Sequence, residues 1–447
     1  MTDEGKAFYK NLTHIVGPMA LQNLITAAVS SADVIMLGKV GQTALAASSL
    51  AGQIQFVLFL FFTGISSGLM MLCAQYWGKK DAHSIETISG IAFKLSVSVG
   101  FVFALAAFCF PRLLMKIFTN DENMIQAGAE YLRWVSFSYF LLSISQIFEA
   151  TFKSIERVKT VTVITFTTLG LNVILNAVLI FGMFGAPKMG IRGAAVATSI
   201  ARAVEVIICV VIASRLKEIK LRVEILFRKS GVLLKDFFHF SLPALGNEFI
   251  WGAAFATYSV ILGHLGEDIV AANSVVNVAR NLGSVVVFGI GYGGQILLGK
   301  EMGSGDLGLA ERDASRLWRS AFLAGVAGGI LMIILKPVLP LLADLNETSL
   351  KYLNYMVYMN AYSILGAAIN TVFICGIFRA GGDSKFGFIT DTIAMWAVSV
   401  PLGLLSWLVF KLPPIWVYFV LYLDEFEKMA VVIHHYRKKK WLRDITR

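Results

Sequence analysis

Long stretches without charge, each about as long as a membrane-crossing helix, dominate the chain. Residues 40–78 contain no Asp, Glu, Lys or Arg. The same holds for 95–111, 160–187, 320–335, 352–378 and 392–410. A helix needs about 20 apolar residues to cross a bilayer, and backbone amides in lipid must be hydrogen-bonded within their own segment. The pattern therefore predicts a polytopic α-helical membrane protein.

The apolar segments predict twelve membrane spans, six in each half of the chain. We place them near residues 13–37, 45–74, 88–114, 129–152, 158–184 and 191–215, and near 239–263, 270–299, 315–343, 350–377, 386–410 and 413–434. The last span is the least regular, because charged residues crowd its end. They are Asp424, Glu425, Glu427 and Lys428.

The second half of the chain repeats the first. Residues 18–81 recur at 243–306, displaced by 225 positions without a gap. The aligned pairs include Pro18 with Pro243, Gly68 with Gly293 and Gly78 with Gly303. Six spans is an even number, so both halves enter the membrane with the same orientation, and an axis along the membrane normal relates them. We predict an all-α membrane protein whose twelve transmembrane helices form two pseudo-symmetric six-helix bundles around a central cleft.

Charge is sparse and lies mainly on one set of loops. Only 15% of the residues are charged, against about 25% in a soluble domain. Basic residues gather near 79–80, 153–159 and 379–385, within 216–238 and at 437–440. The positive-inside rule then places both termini and the 216–238 segment in the cytoplasm. The net charge of +10 suits anionic lipid. No nucleic-acid partner is expected, because no basic patch is interleaved with aromatic residues on a soluble domain.

The domain organisation follows from the spans and the charges. Residues 1–215 are predicted to form an N-terminal six-helix lobe, 216–238 a cytoplasmic connector, and 239–447 a C-terminal six-helix lobe with a basic cytoplasmic tail. One chain supplies both lobes, so we expect a monomer.

Neither a cofactor nor catalysis is indicated. All four cysteines lie inside apolar spans, and none belongs to a CxxC pair. Gly289, Gly291 and Gly294 match a dinucleotide-binding fingerprint, but they lie in an apolar span with no preceding strand. No His, Asp and Glu cluster at matched depth suggests a metal-dependent or nucleophilic membrane enzyme. We therefore expect a non-enzymatic protein without a bound cofactor.

Four short segments form a further pattern, which carries a family resemblance. They are Ser-Ala-Asp-Val-Ile-Met-Leu-Gly at 31–38, Gly-Ala-Ala-Val-Ala-Thr at 193–198, the 263–272 turn and Phe-Arg-Ala-Gly-Gly-Asp-Ser at 378–384. In order and spacing they resemble the multidrug and toxic compound extrusion (MATE) family over about residues 13–410. The resemblance implies export of bulky organic, often cationic, compounds from the cell, coupled to inward Na⁺ or H⁺.

Polar residues in the first half suggest where that coupling ion binds. A charge near the bilayer centre costs at least about 2.5–3.5 kcal/mol, yet Asp33 lies deep in the first span. Asn172 and Asn176 share one helix face, and Thr198 is predicted at similar depth. In the MATE family, matching positions form a cation- or proton-responsive site. Asp33, Asn172 and Asn176 could also ligate Na⁺. The alternative is that Asp33 is an interfacial carboxylate, and the repeat replaces it with Tyr258.

The second half contains a different set of charges within its spans. Glu248, Arg280 and Asp391 are candidates for the wall of the C-terminal cleft, where Glu248 would attract a cationic drug. The alternative is that Arg280 and Arg202 pair with Glu248, Asp391 or Glu205 and hold the bundles together. Some branches of the MATE family carry acidic residues on the seventh and tenth helices. The tenth span here contains none, so the resemblance argues against a Na⁺ site in this half.

These features favour a secondary active antiporter that exports a small organic molecule in exchange for H⁺ or Na⁺ by alternating access in the plasma membrane. The main alternative is a lipid-linked oligosaccharide flippase of the same superfamily. A flippase needs a strongly cationic cleft for pyrophosphate, and only Arg202 and Arg280 are candidates for it.

Overall fold

Helices occupy almost the whole chain. A computed structural model describes residues 3–228, 230–342 and 345–447, and no residue in these ranges lies in a β-strand. The long helices are α1 (Asp3–Val40), α2 (Gln42–Gly78), α3 (Ala82–Cys109), α4 (Glu122–Ser154), α5 (Val158–Phe181), α6 (Ile191–Arg215), α7 (Gly231–Leu265), α8 (Glu267–Gly303), α9 (Leu307–Leu335), α10 (Glu347–Phe378), α11 (Ser384–Leu408), α12 (Pro414–Leu421) and α13 (Asp424–Arg437). Short helical turns lie at Pro111–Lys116, Met183–Gly185, Val223–Phe227 and Leu339–Leu342. Residue 343, the predicted end of the ninth span, lies outside the described residues.

Ten of the described helices, α1–α6 and α8–α11, are long and apolar enough to cross a membrane. The other two predicted spans, near 239–263 and 413–434, fall on α7 and on the α12–α13 pair. Polar residues such as Asn247 and Glu248 make α7 less apolar, and α12 and α13 have only 8 and 14 residues. The predicted all-α membrane fold is confirmed.

Two of the long helices depart from α-helical geometry. Val372–Phe378 in α10 and Thr392–Ser399 in α11 are π-helical. A π-helical turn holds more residues than an α-helical turn, so the side chains beyond it point in directions that an α-helical period does not give. Arg379 directly follows the first of these segments, and Asp391 directly precedes the second.

The turn after the second helix of each half shows that the sequence repeat is also structural. The carboxylate of Asp81 accepts a hydrogen bond at 3.0 Å from the amide three residues later, and Asp306 does the same at 2.8 Å. Each aspartate satisfies an amide at the start of a helix. The preceding residues, Lys80 and Gly305, both have positive φ angles, 61° and 87°. Both repeats therefore form this turn in the same way.

Packing divides the chain into two compact units. The C-terminal unit contains the chain up to Ala20, Ala74–Lys80 and His239–Arg447, and the N-terminal unit contains Leu21–Cys73 and Asp81–Phe238. These units differ from the predicted lobes because the start of α1 and the end of α2 pack with the C-terminal half. The lobes at 1–215 and 239–447, with their connector at 216–238, stay a prediction.

Each unit has its own apolar core. In the N-terminal unit, Leu58, Phe62 and Leu132 are fully buried in one cluster. In the C-terminal unit, Val276 and Met356 belong to a second buried cluster, to which α7–α12 all contribute. Each core fixes the rotation of its helices, and that rotation decides which polar residues face inward.

The ends of α2 and α8 cross at a pair of glycines within the C-terminal unit. A Cβ atom on Gly78 would lie 1.9 Å from the carbonyl oxygen of Lys300. A Cβ atom on Gly303 would lie 1.9 Å from the carbonyl oxygen of Gln75. Gly78 and Gly303 are equivalent positions of the repeat, so two equivalent helices meet backbone to backbone where both lack a side chain.

The last residues of the chain lie across the end of α2. Gln75 Nε2 donates a hydrogen bond to the carbonyl of Ala380 at 2.7 Å, and Gln75 Oε1 accepts one from the amide of Ile445 at 2.8 Å. Arg443 Nε donates to the carbonyl of Gly381 at 2.9 Å. The tail thereby ties the end of α2 to the loop that follows α10.

The glycine crossing gives a stability prediction. Gly303→Ala should lower the melting temperature of the detergent-purified protein, because overpacking typically costs about 1–3 kcal/mol and the obstructing atom is backbone. Gly170→Ala is the matched control, since no atom lies within 4 Å of its added Cβ. It should be neutral or stabilising, by up to about 1 kcal/mol, as is usual for a glycine inside a helix. Equal melting temperatures for the two variants would contradict the crossing.

Candidate functional site

Four polar side chains meet in the N-terminal unit. Asn176 Nδ2 donates hydrogen bonds to Asp33 Oδ1 at 2.6 Å and to Asn172 Oδ1 at 3.3 Å. Asn172 Nδ2 donates to Thr198 Oγ1 at 3.4 Å, and the Thr198 hydroxyl donates to the carbonyl of Ala194 at 2.9 Å. One hydrogen-bonded chain therefore joins α1, α5 and α6. That this group binds a cation or a proton stays a prediction.

The buried face of α5 positions the two amides. Its buried residues are Val158, Val161, Thr162, Ile164, Thr165, Thr168, Asn172, Asn176 and Ile180. Most are three or four positions apart, so they lie on one face of a helix with 3.6 residues per turn. Because the apolar members hold this face against the bundle, the amides are also inside it, and Asn176 is only 1% exposed.

An apolar cluster closes one end of the polar group. Its buried members are Leu37, Ala47, Ile180, Ile191 and Ala194. Leu37 lies one helical turn beyond Asp33, and Ile180 lies one turn beyond Asn176. The cluster therefore adjoins the group along both helices. Apolar neighbours lower the local dielectric, which strengthens electrostatic interactions at the Asp33 carboxylate.

One oxygen of the group lacks a donor. Asn176 Oδ1 is buried and accepts no hydrogen bond from any other described residue. A buried acceptor without a donor is unfavourable, so a proton on Asp33 or a cation beside Asn176 would fit. Carboxylate, amide and hydroxyl oxygens are ligands that hard cations take. No group of three or more His, Cys, Asp or Glu side chains in the described ranges is arranged to hold a metal ion.

The N-terminal unit also buries charges that pair with each other. Arg202 Nη1 lies 2.5 Å from Glu205 Oε2, as one of the two interpretations of Arg202 predicted. Glu149 is 4% exposed and lies 3.8 Å from Lys153 Nζ. This second pair was not predicted from the sequence. Its signal was the spacing of four positions between opposite charges at the end of an apolar helix.

In the C-terminal unit, Glu248 and Asp391 are joined through two further residues. Arg379 Nη2 donates to Glu248 Oε1 at 3.0 Å and to Asn247 Oδ1 at 2.8 Å. Asn247 Nδ2 donates to Asp391 Oδ2 at 2.5 Å. Arg379 is 1% exposed, so this network is internal to the unit. The roles of Asn247 and Arg379 were not predicted from the sequence.

Arg280 lies apart from both carboxylates. Its guanidinium carbon is 5.5 Å from the ring centroid of Phe255 and 5.2 Å from that of Tyr422. Aromatic faces attract cations. In the described part of the chain Arg280 forms no ion pair with Glu248 or Asp391, so its predicted pairing is wrong, because other cations hold those carboxylates. Contact between Arg280 and a substrate stays a prediction.

The chain matches one family model in both of its halves. The model, MatE, matches residues 18–178 and 243–405. The second match begins 225 positions after the first, which is the displacement of the internal repeat.

Curated relatives span nearly the same length. The uncharacterized transporter YisQ of Bacillus subtilis is 25% identical over 441 residues, which cover 97% of this chain and 95% of that protein. The multidrug resistance protein NorM of Vibrio cholerae is 25% identical over 411 residues, which cover 89% and 88%.

Solved structures share the fold of this chain. The Vibrio cholerae MATE transporter VcmN in its bent form has a TM-score of 0.88 at 16% identity, with 99% of this chain and 98% of that chain covered. The eukaryotic MATE transporter AtDTX14 has a TM-score of 0.85 at 18% identity, with 98% of each chain covered. The predicted twelve-helix fold is confirmed by this likeness. From the family match over both halves, we conclude that the chain belongs to the MatE family of membrane transporters.

Proposed function

We propose that the protein is a secondary active antiporter that exports organic, often cationic, compounds across the plasma membrane in exchange for H⁺ or Na⁺. Family membership supports transport, and relatives such as NorM of Vibrio cholerae are named multidrug resistance proteins. One observation carries the ion-coupled part of the proposal. The carboxylate of Asp33 is hydrogen-bonded to Asn176, whose own oxygen has no donor among the described residues.

The group can respond to a proton through its hydrogen bonds. An ionised carboxylate only accepts hydrogen bonds, whereas a protonated one also donates. Protonated Asp33 would donate to Asn176 Oδ1 while still accepting from Asn176 Nδ2. The link between α1 and α5 would then change from one hydrogen bond to two. A Na⁺ ion beside the same oxygens would bridge these helices in an equivalent way.

This change at the junction of three helices supplies the coupling to transport. Interactions at Asp33 act on α1 and α5 directly, and on α6 through Asn172 and Thr198. An ion shifts a conformational equilibrium only as far as it binds one state better than the other. We propose that the state with tightened helices releases substrate outward, and that loss of the ion to the cytoplasm resets the protein.

The energetics depend on the charge of the substrate. A tenfold ion gradient supplies about 1.4 kcal/mol per ion. A membrane potential of 100 mV adds about 2.3 kcal/mol for each net positive charge that moves inward. Exchange of one ion for a neutral substrate uses both contributions. Exchange for a monovalent cation moves no net charge, so only the ion gradient then drives export.

Contacts of the connector support the proposed cytoplasmic side. Glu86, at the start of α3, lies 2.7 Å from Arg228 Nη1 and accepts a hydrogen bond from the amide of Lys220 at 2.6 Å. Arg157, between α4 and α5, pairs with Glu218. Loops that the positive-inside rule assigns to one side therefore touch the same connector. We propose that this side, with both termini, faces the cytoplasm.

A flippase for lipid-linked oligosaccharides receives less support. It would need surplus positive charge to hold a pyrophosphate. The cations Arg202, Arg379 and Lys428 each contact a carboxylate, and Arg280 lies over aromatic rings. These four residues therefore provide little uncompensated positive charge, and an organic-cation exporter fits them better.

The proposed coupling residue gives a direct prediction. Asp33→Asn should reduce gradient-driven drug export to the level of protein-free proteoliposomes, because the amide cannot gain or lose the proton or supply an anionic ligand. Asp3→Asn is the matched control, since its side chain is fully exposed, and it should export normally. Normal export by Asp33→Asn would reject Asp33 as the coupling residue.

A second experiment tests the antiport itself. Purified protein in proteoliposomes, with Na⁺ and pH gradients imposed separately, should move a fluorescent organic cation against its gradient when at least one gradient is present. Dissipating that gradient with an ionophore should stop the movement. Movement that is unaffected by both gradients would contradict antiport, and movement only of a lipid-linked pyrophosphate would favour the flippase.

A further inference from the structure

An ammonium group surrounded by carboxylates lies inside the C-terminal unit. Lys428 Nζ is 3.0 Å from Asp424 Oδ2, 3.3 Å from Asp391 Oδ1 and 3.6 Å from Glu425 Oε1. Lys428 is 4% exposed, so water does not solvate this charge. Lys428, Asp424 and Glu425 lie on one face of α13, and Asp391 comes from α11. Three carboxylates from two helices therefore converge on one cation.

Amide groups donate hydrogen bonds to two other oxygens of these carboxylates. Asn247 Nδ2, on α7, donates to Asp391 Oδ2 at 2.5 Å. Asn370 Nδ2, on α10, donates to Glu425 Oε2 at 2.8 Å. Four helices thus supply ligands to a single charged cluster. Its geometry does not resemble that of a surface ion pair, in which one lysine contacts one exposed carboxylate.

Two further cations lie near the cluster and offset part of its negative charge. Arg379 and Glu248 neutralise each other next to Asn247. Arg280, held over the rings of Phe255 and Tyr422, attracts Glu425 from α8. The phenol group of Tyr258 adjoins the cluster and is uncharged at neutral pH. Lys428 is the cation with the most carboxylate contacts here.

We propose that Lys428 is a resident cation, whose ammonium group fills the position in the C-terminal half that an alkali ion would otherwise occupy. Carboxylates buried without a cation would be strongly unfavourable, so the cluster needs one at all times. A tethered ammonium group meets that need and cannot dissociate. The C-terminal half then binds no Na⁺, and ion exchange is confined to the group around Asp33. This last step rests on the proposed function, whereas the occupancy by Lys428 does not.

Occupancy by Lys428 also explains why charged residues crowd the end of the predicted span near 413–434. Asp424 and Lys428 are four positions apart and Glu425 and Lys428 are three apart, so each pair lies on one helix face. Charges that would be unfavourable in lipid turn inward as a group. Among them, Lys428 is the partner of Asp391, for which one interpretation of the sequence proposed an arginine.

The test measures thermal stability with and without Na⁺. Purified full-length protein carrying Asp33→Asn, which removes the other candidate ion site, is melted in NaCl and in choline chloride at equal ionic strength. We expect no difference between the salts. Adding Lys428→Gln should lower the melting temperature in choline, and Na⁺ or a lower pH should restore part of the loss, because the carboxylates then take an external cation or a proton. Lys428→Arg should lose less than Lys428→Gln.

Matched variants keep the test decisive. Lys6→Gln removes a lysine whose single carboxylate partner is fully exposed to solvent, and it should show no Na⁺ response. If Lys428→Gln does not fold, the further change Asp424→Asn removes one repelling charge and should restore folding together with the Na⁺ or pH response. Stabilisation by Na⁺ while Lys428 is present would overturn the proposal. An unchanged melting temperature for Lys428→Gln would also overturn it. Failure of ion-driven transport would reject the proposed function and leave these melting results standing.

Discussion

Burial of charge where water cannot solvate it is the constraint on which the rest of this structure depends. Apolar length makes the segments helical and places them in the membrane, but it does not choose their rotation or their neighbours. The charged residues do so, because each must face a partner. Asp33 faces an amide, Glu248 faces Arg379, and Asp391 faces an asparagine and Lys428.

The two halves share an architecture but stabilise their buried carboxylates with different partners. The turns after α2 and α8 are built alike, and equivalent glycines bring those helices together. The charges break the symmetry, since Tyr258 occupies the position that matches Asp33. The N-terminal unit surrounds its aspartate with neutral oxygen and nitrogen ligands. The C-terminal unit surrounds its acids with cations from its own chain. Symmetry therefore supplies the scaffold, and we propose that the asymmetry of the charges confines ion exchange to one half.

The fold and the N-terminal group were predictable from sequence because both depend on local rules. Uncharged length predicts helices, and the spacing of Asn172 and Asn176 places two amides on one face at the depth of Asp33. The partners of Arg280 and the contact between Asp391 and Lys428 were not predictable in this way. They depend on helix rotation and on aromatic side chains from distant helices. In addition, π-helical segments in α10 and α11 disturb the period from which a face is inferred.

The π-helical segment at Val372–Phe378 also affects which deletions this helix can tolerate. A π-helical turn amounts to one additional residue in an α-helix. Losing one residue there would return the segment to α-helical geometry and leave the helix on either side in register, so Arg379 could keep its contacts with Glu248 and Asn247. The same loss in an α-helical stretch would rotate everything beyond it by about 100°. A one-codon deletion should therefore be tolerated better within Val372–Phe378 than elsewhere in this helix.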